Sequence, residues 1–432
     1  MFIELSNENK TFRGQTKMIK NTEITANESR LWASLMDMAK IGPGIAGGSN
    51  RQALTDEDSE GRTLFKSWCD AENMVVKIDE LGSMFAFRAG TDPNVRPIMI
   101  GSHLDTQPTG GKYDGILGVL AGLEVVRSLN EHNIKTKHPI VIANWTNEEG
   151  SRFAPSMIAS GVYADKYDLE YAYHCKDPDG ISIKDELIRT GWLGDMPVGE
   201  PKIQAYYEYH IEQGPILEAE DKLIGVVTHG QGLAALEVTL TGKAAHTGST
   251  PMTMRSNTSL AMAKIIHVTH DLVMDNQPNT AVSVGKIDVS PNSRNVLPSK
   301  VVFTIDIRAA AQDKFDELCD QIKAKVHQIS SALDVSCSIE VVGHKNPVAF
   351  DTKLLNIIRN ATSKLGYSNI DICSGAGHDA FWIADVAPSA MIMCPCVDGI
   401  SHNEDEEISS EWAIAGTNVL LHAVLETAII EN

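Results

Sequence analysis

"RPIMIGSHLDT", residues 96–106, decides how this chain is read. An apolar run without alternation ends in polar residues, the pattern of a strand buried on both faces. Next, "GILGVLAGLEVVRSLN" (115–130) carries helical periodicity, "HPIVIANWT" (138–146) is a second buried strand, and "PSMIASGVYA" (155–164) is helical again. Strands alternating with helices predict an α/β fold, a mixed, mostly parallel sheet flanked by helices. Functional groups in such sheets collect at the carboxyl ends of the strands. Both "HLD" and the adjacent acids of "NEEG", Glu148 and Glu149, fall at such ends.

Further along, "AYYEYHIE" (205–212) alternates, with Tyr207, Tyr209 and Ile211 on one face and Glu208, His210 and Glu212 on the other. From about 225 the rhythm changes. "LAALEVTLTG" (233–242) reads as a strand, 255–274 as a helix, "AVSVGKIDV" and "KVVFTIDIRA" as strands, 312–332 as a helix and "VSCSIEVVG" as a strand. That is the order of a small α+β sandwich, and after about 340 the first rhythm returns. The expected organisation is one domain made of 1–225 and 340–432, interrupted by a second over 226–339.

A chain of 432 residues with 43% hydrophobic and 22% charged residues is ordinary for a globular protein of two domains. A formal charge of −20 argues against nucleic acid or an anionic membrane as partner. Seven cysteines without a CxxC pair, Cys394 and Cys396 among them, read as buried reduced thiols. No apolar signal core stands in "MFIELSNENKTFRGQTKMIKN", and no stretch is long enough to span a bilayer, so the expected location is the cytoplasm.

His103, Asp114, His210 and His402 stand out beside the glutamate pair, each at an element end or in a turn rich in Gly or Asn. Imidazole and carboxylate suit zinc and similar metals. Two cations a few ångströms apart need one bridging carboxylate and further His or acid ligands, which these four residues and one of the two glutamates supply. The other glutamate would face the attacking water and move protons. Cations so placed would also relieve the repulsion between adjacent acids. Asp105, on the same strand face as His103, is expected to accept its second ring N–H. Arg308, ending "VVFTIDIR", needs a carboxylate partner, from within the protein or from a ligand. The acidic run "NEDEE" (403–407) reads as mostly exposed, and no short metal motif such as HExxH is present.

"GSHLDTQPTGGKYDGILGVLAGLEV", "WTNEEGSRFAPSMIASG", "YHIEQGPILE", "GKAAHTGSTPM", "NSRNVLPSKVVFTIDIR" and "SGAGHDA" together resemble the hydantoinase/carbamoylase family of amidases, relatives of the di-zinc aminoacylases and carboxypeptidases. The likeness runs from about residue 25 to the C-terminus. It implies a di-zinc exopeptidase-like catalytic domain with an inserted lid and dimerisation domain. It implies two divalent metal ions, zinc by default with manganese, cobalt or nickel on the same ligands, held by His103, Asp114, Glu149, His210 and His402, with Asp114 bridging. Glu148 would be the general base, joined among the catalytic residues by Asp105 and by His246, which a partner subunit contributes to hold the oxyanion. Gln213, Asn295, Arg308 and His378 would bind substrate. The activity implied is hydrolysis of N-carbamoyl-L-amino acids by a homodimer with a shared site. Allantoate, ureidoglycolate or N-carbamoyl-β-alanine are alternative substrates, and a dipeptidase or aminoacylase is a more distant one.

Overall fold

Ile98–His103 is an interior strand of a nine-stranded sheet in the computed structural model, which describes residues 24–429. The N-terminal stretch read above for a signal core lies outside the described residues. Ile140–Trp145, Ile98–His103, Ala205–Ile211 and Ser389–Cys394 form the parallel centre of the sheet. The flanks run antiparallel, Met84–Arg88 and Val75–Ile78 on one side and Ile224–Gly230 on the other. The fold is therefore mixed α/β, with the candidate ligands His103 and His210 on strands of its parallel centre and Asn369–Ser374 adding a further parallel pair with Ile224–Gly230.

Every residue of Ile98–His103 and Ile140–Trp145 is buried. Helices Ile116–Glu131 and Ser410–Ala428, packed on each other, cover one face of this part of the sheet, and Ala380–Ile383 packs on the other, where Glu208 accepts the backbone N–H of Ala380; strands covered on both faces are apolar without alternation. The first of these helices lies unusually close. A Cβ on Gly118 would stand 2.4 Å from the carbonyl oxygen of Tyr209, so only glycine allows that approach.

The chain passes from Ile224–Gly230 of the large sheet to Gly232–Thr241 of a separate, five-stranded antiparallel sheet. It leaves that sheet after Ser336–Lys345 and rejoins the large one at Val348–Ala349. The changes of sheet thus fall a few residues beyond 226 and 339. "IGVVTHG" stays in the large sheet because it pairs with both Ser389–Cys394 and Asn369–Ser374. Leu236, Val238 and Leu240 face the same core as Phe303, Ile305 and Ile307, closed by Phe315, Leu318 and Ile322 of helix Gln312–Ala332. Each such buried side chain contributes about 1.5–3 kcal/mol. The expected strand over 281–289 is broken at Val284–Lys286. Its halves, Thr280–Ser283 and Ile287–Ser290, pair with opposite ends of Lys300–Ala309.

Candidate metal centre and substrate cleft

His103 ends its strand, and His210 is the penultimate residue of the neighbouring parallel strand, so the sheet sets the two imidazoles side by side. Asp114 lies in the loop before helix Ile116–Glu131. Glu148 and Glu149 lie in the turn after Ile140–Trp145, where Asn147 takes a left-handed conformation (φ 56°). His402 comes from the loop before the last helix.

These residues converge on Asp114. Its Oδ1 stands 3.1 Å from Nε2 of His210 and 3.7 Å from Nε2 of His103, and its Oδ2 3.3 Å from Nε2 of His402. His402 Nε2 also lies 3.4 Å from Glu149. Two groups that could each hold a metal ion result, His103, Asp114 and His210, and Asp114, Glu149 and His402. Glu148 belongs to neither, although its carboxylate stands 3.5 Å from Nε2 of His103.

The donor set fits cations. Nδ1 of His103 faces the carbonyl of Asp105 and Nδ1 of His210 that of Ile211, both at 2.9 Å. A carbonyl only accepts, so each Nδ1 carries a proton and each Nε2 is the atom offered to the site. Gly115, at φ 74°, seats the His103 ring, since a Cβ there would meet it at 2.3 Å. Without a cation the charges are poorly balanced. Burial, then the charges of Asp379 and Glu149, pushes Glu148 well above the usual carboxyl range, and burial and Asp114 do the same to Glu149. Burial holds His103 down at about 4. Burial also opposes the charged form of His210, but the hydrogen bond and charge of Asp114 outweigh it and raise that ring to about 9. A positive charge between these acids is what such a cluster lacks.

One reading of the sequence changes here, and another holds with one exception. Asp105 does not accept the His103 N–H with its carboxylate, which is 4.0 Å away; its backbone carbonyl does. The carboxylate instead accepts the backbone N–H groups of Glu148 (3.3 Å) and Glu149 (3.2 Å), and so holds the turn that carries both glutamates. The side chain is free for this because the chain bends past the strand end and turns the carbonyl back to the ring. Glu406, in the run read as mostly exposed, is 3% exposed and accepts the backbone N–H of Tyr113 and Asp114.

Among the proposed substrate residues, Gln213 donates from Nε2 to Asp114 Oδ2 at 2.9 Å, and its Oε1 is buried with no partner among the described residues. His378 is buried, 3.0 Å from the Ser374 hydroxyl and edge-on to the His210 ring. Arg308 finds its carboxylate inside the protein: Asp306, two residues back on the same strand face, takes Nε at 2.6 Å and Nη2 at 3.2 Å, leaving Nη1 toward the carbonyl of Gly375. Gln213, Arg308 and His378 line one cavity of about 500 Å³ with the candidate ligands. His246 and Asn295 do not; both are exposed, on the paired segments Ala245–His246 and Val296–Leu297 and the turn before the latter.

The model of peptidase family M20/M25/M40 matches residues 99–426. The chain is 63% identical over 404 residues to the N-carbamoyl-L-amino-acid amidohydrolase of Rhizobium meliloti, covering 94% of this chain and 97% of that one. This chain is a member of that family, in its hydantoinase/carbamoylase branch. The N-carbamoyl-L-amino acid amidohydrolase of Geobacillus stearothermophilus is 34% identical over 92% of this chain and 98% of its own length. The crystal structure of a hydantoinase/carbamoylase family amidase from Burkholderia multivorans superposes with a TM-score of 0.91 at 48% identity, covering 94% of this chain and 98% of that one.

In this amidase fold, two polar residues around the site, half-buried Gln107 and buried Glu208, escaped sequence reading. Gln107 holds both oxygens of Glu149, through its backbone N–H (3.1 Å) and Nε2 (2.7 Å). Glu208 accepts from Ser102, Tyr206 and the backbone of Ala380. The signal for Gln107 was its place just past "HLDT"; Glu208 shares a strand face with His210, and that alternation was the only hint.

Proposed function

We propose that the chain hydrolyses the ureido group of N-carbamoyl-L-amino acids, releasing the amino acid, carbon dioxide and ammonia. The observation that carries this reading is Glu148, a buried carboxylate beside both metal-holding groups and part of neither. A purely structural cation site has no use for a base left free in that position. The printed activity of the 63% identical Rhizobium meliloti protein supports the choice of substrate.

His103, Asp114 and His210 would hold one divalent cation and Asp114, Glu149 and His402 the other, zinc first, with manganese, cobalt or nickel suited to the same donors. When bound, such ions polarise the ureido oxygen and acidify water. Glu148 takes the proton of the attacking water and returns it to the leaving nitrogen. Asp105 keeps Glu148 in reach by anchoring its backbone.

Nδ1 of His246 accepts the backbone N–H groups of Gly248 and Ser249, both at 3.1 Å, so the ring proton sits on Nε2, ready to be donated. His246 stands outside the cleft of its own chain, and we assign it to the cleft of a second copy in a homodimer, where it stabilises the developing oxyanion by about 3–4 kcal/mol. Arg308 through Nη1, Asn295, Gln213 and His378 orient the substrate. The segment from Gly232 to Lys345, which forms the five-stranded sheet, acts as a lid whose closure brings Arg308 and Asn295 to the substrate and excludes water. Seven free cysteines suit a reducing cytoplasm.

The test is ammonia release from N-carbamoyl-L-amino acids, N-carbamoyl-β-alanine, allantoate and dipeptides with defined metals. The fastest turnover is expected on the first class. Preference for allantoate or a dipeptide, or equal rates after complete metal removal, would overturn the assignment.

A further inference from the structure

Arg308 and Lys345 flank Leu233 on the five-stranded sheet. The register sets Arg308 directly opposite Leu233 on one side and Lys345 directly opposite it on the other. Paired residues of antiparallel strands point to one face, and all three side chains line the 500 Å³ cavity. Strands about 4.8 Å apart set the two cationic backbones roughly 10 Å from each other, with an apolar side chain between them.

The two cations are used differently. Arg308 has Asp306 on two of its nitrogens. Nζ of Lys345 is buried and makes no hydrogen bond among the described residues. It rests on the ring faces of Trp382 at 4.0 Å and Phe381 at 4.8 Å. Such contacts hold an ammonium group in place and leave its N–H donors unspent. Burial pulls this group down to about 8, against the attraction of Glu148, Asp379 and Asp385, none of which bonds to it. A buried cation with unused donors on a substrate cavity gains charge-assisted hydrogen bonds when an anion arrives.

We propose that Lys345 anchors a second carboxylate of the substrate, so that the cleft selects N-carbamoyl derivatives of dicarboxylic amino acids, with the α-carboxylate at Arg308 and the side-chain carboxylate at Lys345. This rests on the ureido-hydrolase reading of the site. The experiment compares kcat/KM for N-carbamoyl-L-glutamate and N-carbamoyl-L-methionine in the metal-loaded enzyme, Lys345→Met and Lys345→Arg. The wild type should prefer the glutamate derivative. Lys345→Met should lower the glutamate-to-methionine ratio about 10- to 100-fold, chiefly through KM, the effect of losing one hydrogen bond between charged groups. Lys345→Arg, which keeps a cation, should recover part of the ratio. Because the readout is a ratio within one preparation, partial misfolding does not imitate it. An unchanged ratio in Lys345→Met, or a wild type that favours the methionine derivative, overturns the subsite and leaves the ureido reading standing. A wild type that cleaves neither compound, while cleaving allantoate or a dipeptide, overturns both.

Discussion

Oε1 of Glu406 accepts the backbone N–H of Asp114 at 3.1 Å, across 292 residues of sequence. The same oxygen accepts from Tyr113 at 3.0 Å, and Ser401 donates to the other oxygen. Glu406 therefore sets the backbone that presents the carboxylate common to both metal-holding groups. Gly111 makes room for it, since a Cβ there would collide with the Glu406 carboxylate at 1.9 Å.

Glu406→Ala should leave two buried N–H groups without an acceptor, at a cost of about 1–3 kcal/mol. Loss of this support for a ligand should also weaken metal binding about 10- to 100-fold. Glu406→Gln keeps an acceptor oxygen and should do less on both counts. Thermal unfolding and competition with a metal chelator measure the two effects.

Glu148 and Glu149 should separate chemistry from metal binding. Glu148→Gln should retain both cations and lose about 10²- to 10⁴-fold in kcat. Glu149→Ala should lose at least one cation. Elemental analysis beside turnover decides, and equal metal loss in the two variants would reverse the roles of the pair.

His246 should act in trans. Separate preparations of Glu148→Gln and His246→Ala should each be nearly inactive, and subunit exchange between them should restore about one quarter of wild-type activity in a two-fold symmetric dimer with random pairing. No recovery after exchange, verified by mass, would refute a site shared between subunits.

The metal-free protein should lose stability as pH rises through neutrality. Asp105 and Glu406 are each raised to about 7, by burial first, then by the charges of Asp58 and Asp114 respectively. A carboxyl whose folded pKa is raised stabilises the fold below its unfolded pKa, and that contribution fades as pH climbs through the folded value. His210, raised to about 9, loses its contribution in the same direction. His103, lowered to about 4, works in the opposite sense, its contribution fading only as pH falls below its ordinary value. Melting temperatures of chelator-treated protein should therefore fall as pH rises from about 4 to about 7, where Asp105 and Glu406 act, and on toward about 9, where His210 does, and Asp105→Asn should flatten the part below about 7. Metal loading should raise the curve most at its alkaline end.

Helix and strand positions were legible because burial on two faces, or on one, writes itself into local spacing. Ile98–His103 and Ile140–Trp145 are apolar throughout, and Gly232–Thr241 alternates, as the layers around them require. The kinds of residue able to bind cations were legible too, because acids and imidazoles at strand ends are scarce among apolar runs. The break at Gly285 was not, since it depends on how two short segments share one neighbouring strand.

The sequence by itself determined the α/β order, the inserted α+β segment and the chemical character of the site. Only the tertiary structure decided that Asp114 turns one oxygen to His103 and His210 and the other to His402, that Asp105 grips the glutamate turn, that Asp306 engages Arg308, and that Glu406 and Lys345 are drawn inside. Periodicity reports which face of an element is dry, a property of neighbours in sequence. The partner a buried polar group finds is set by chain segments hundreds of residues away, and no local pattern carries that information.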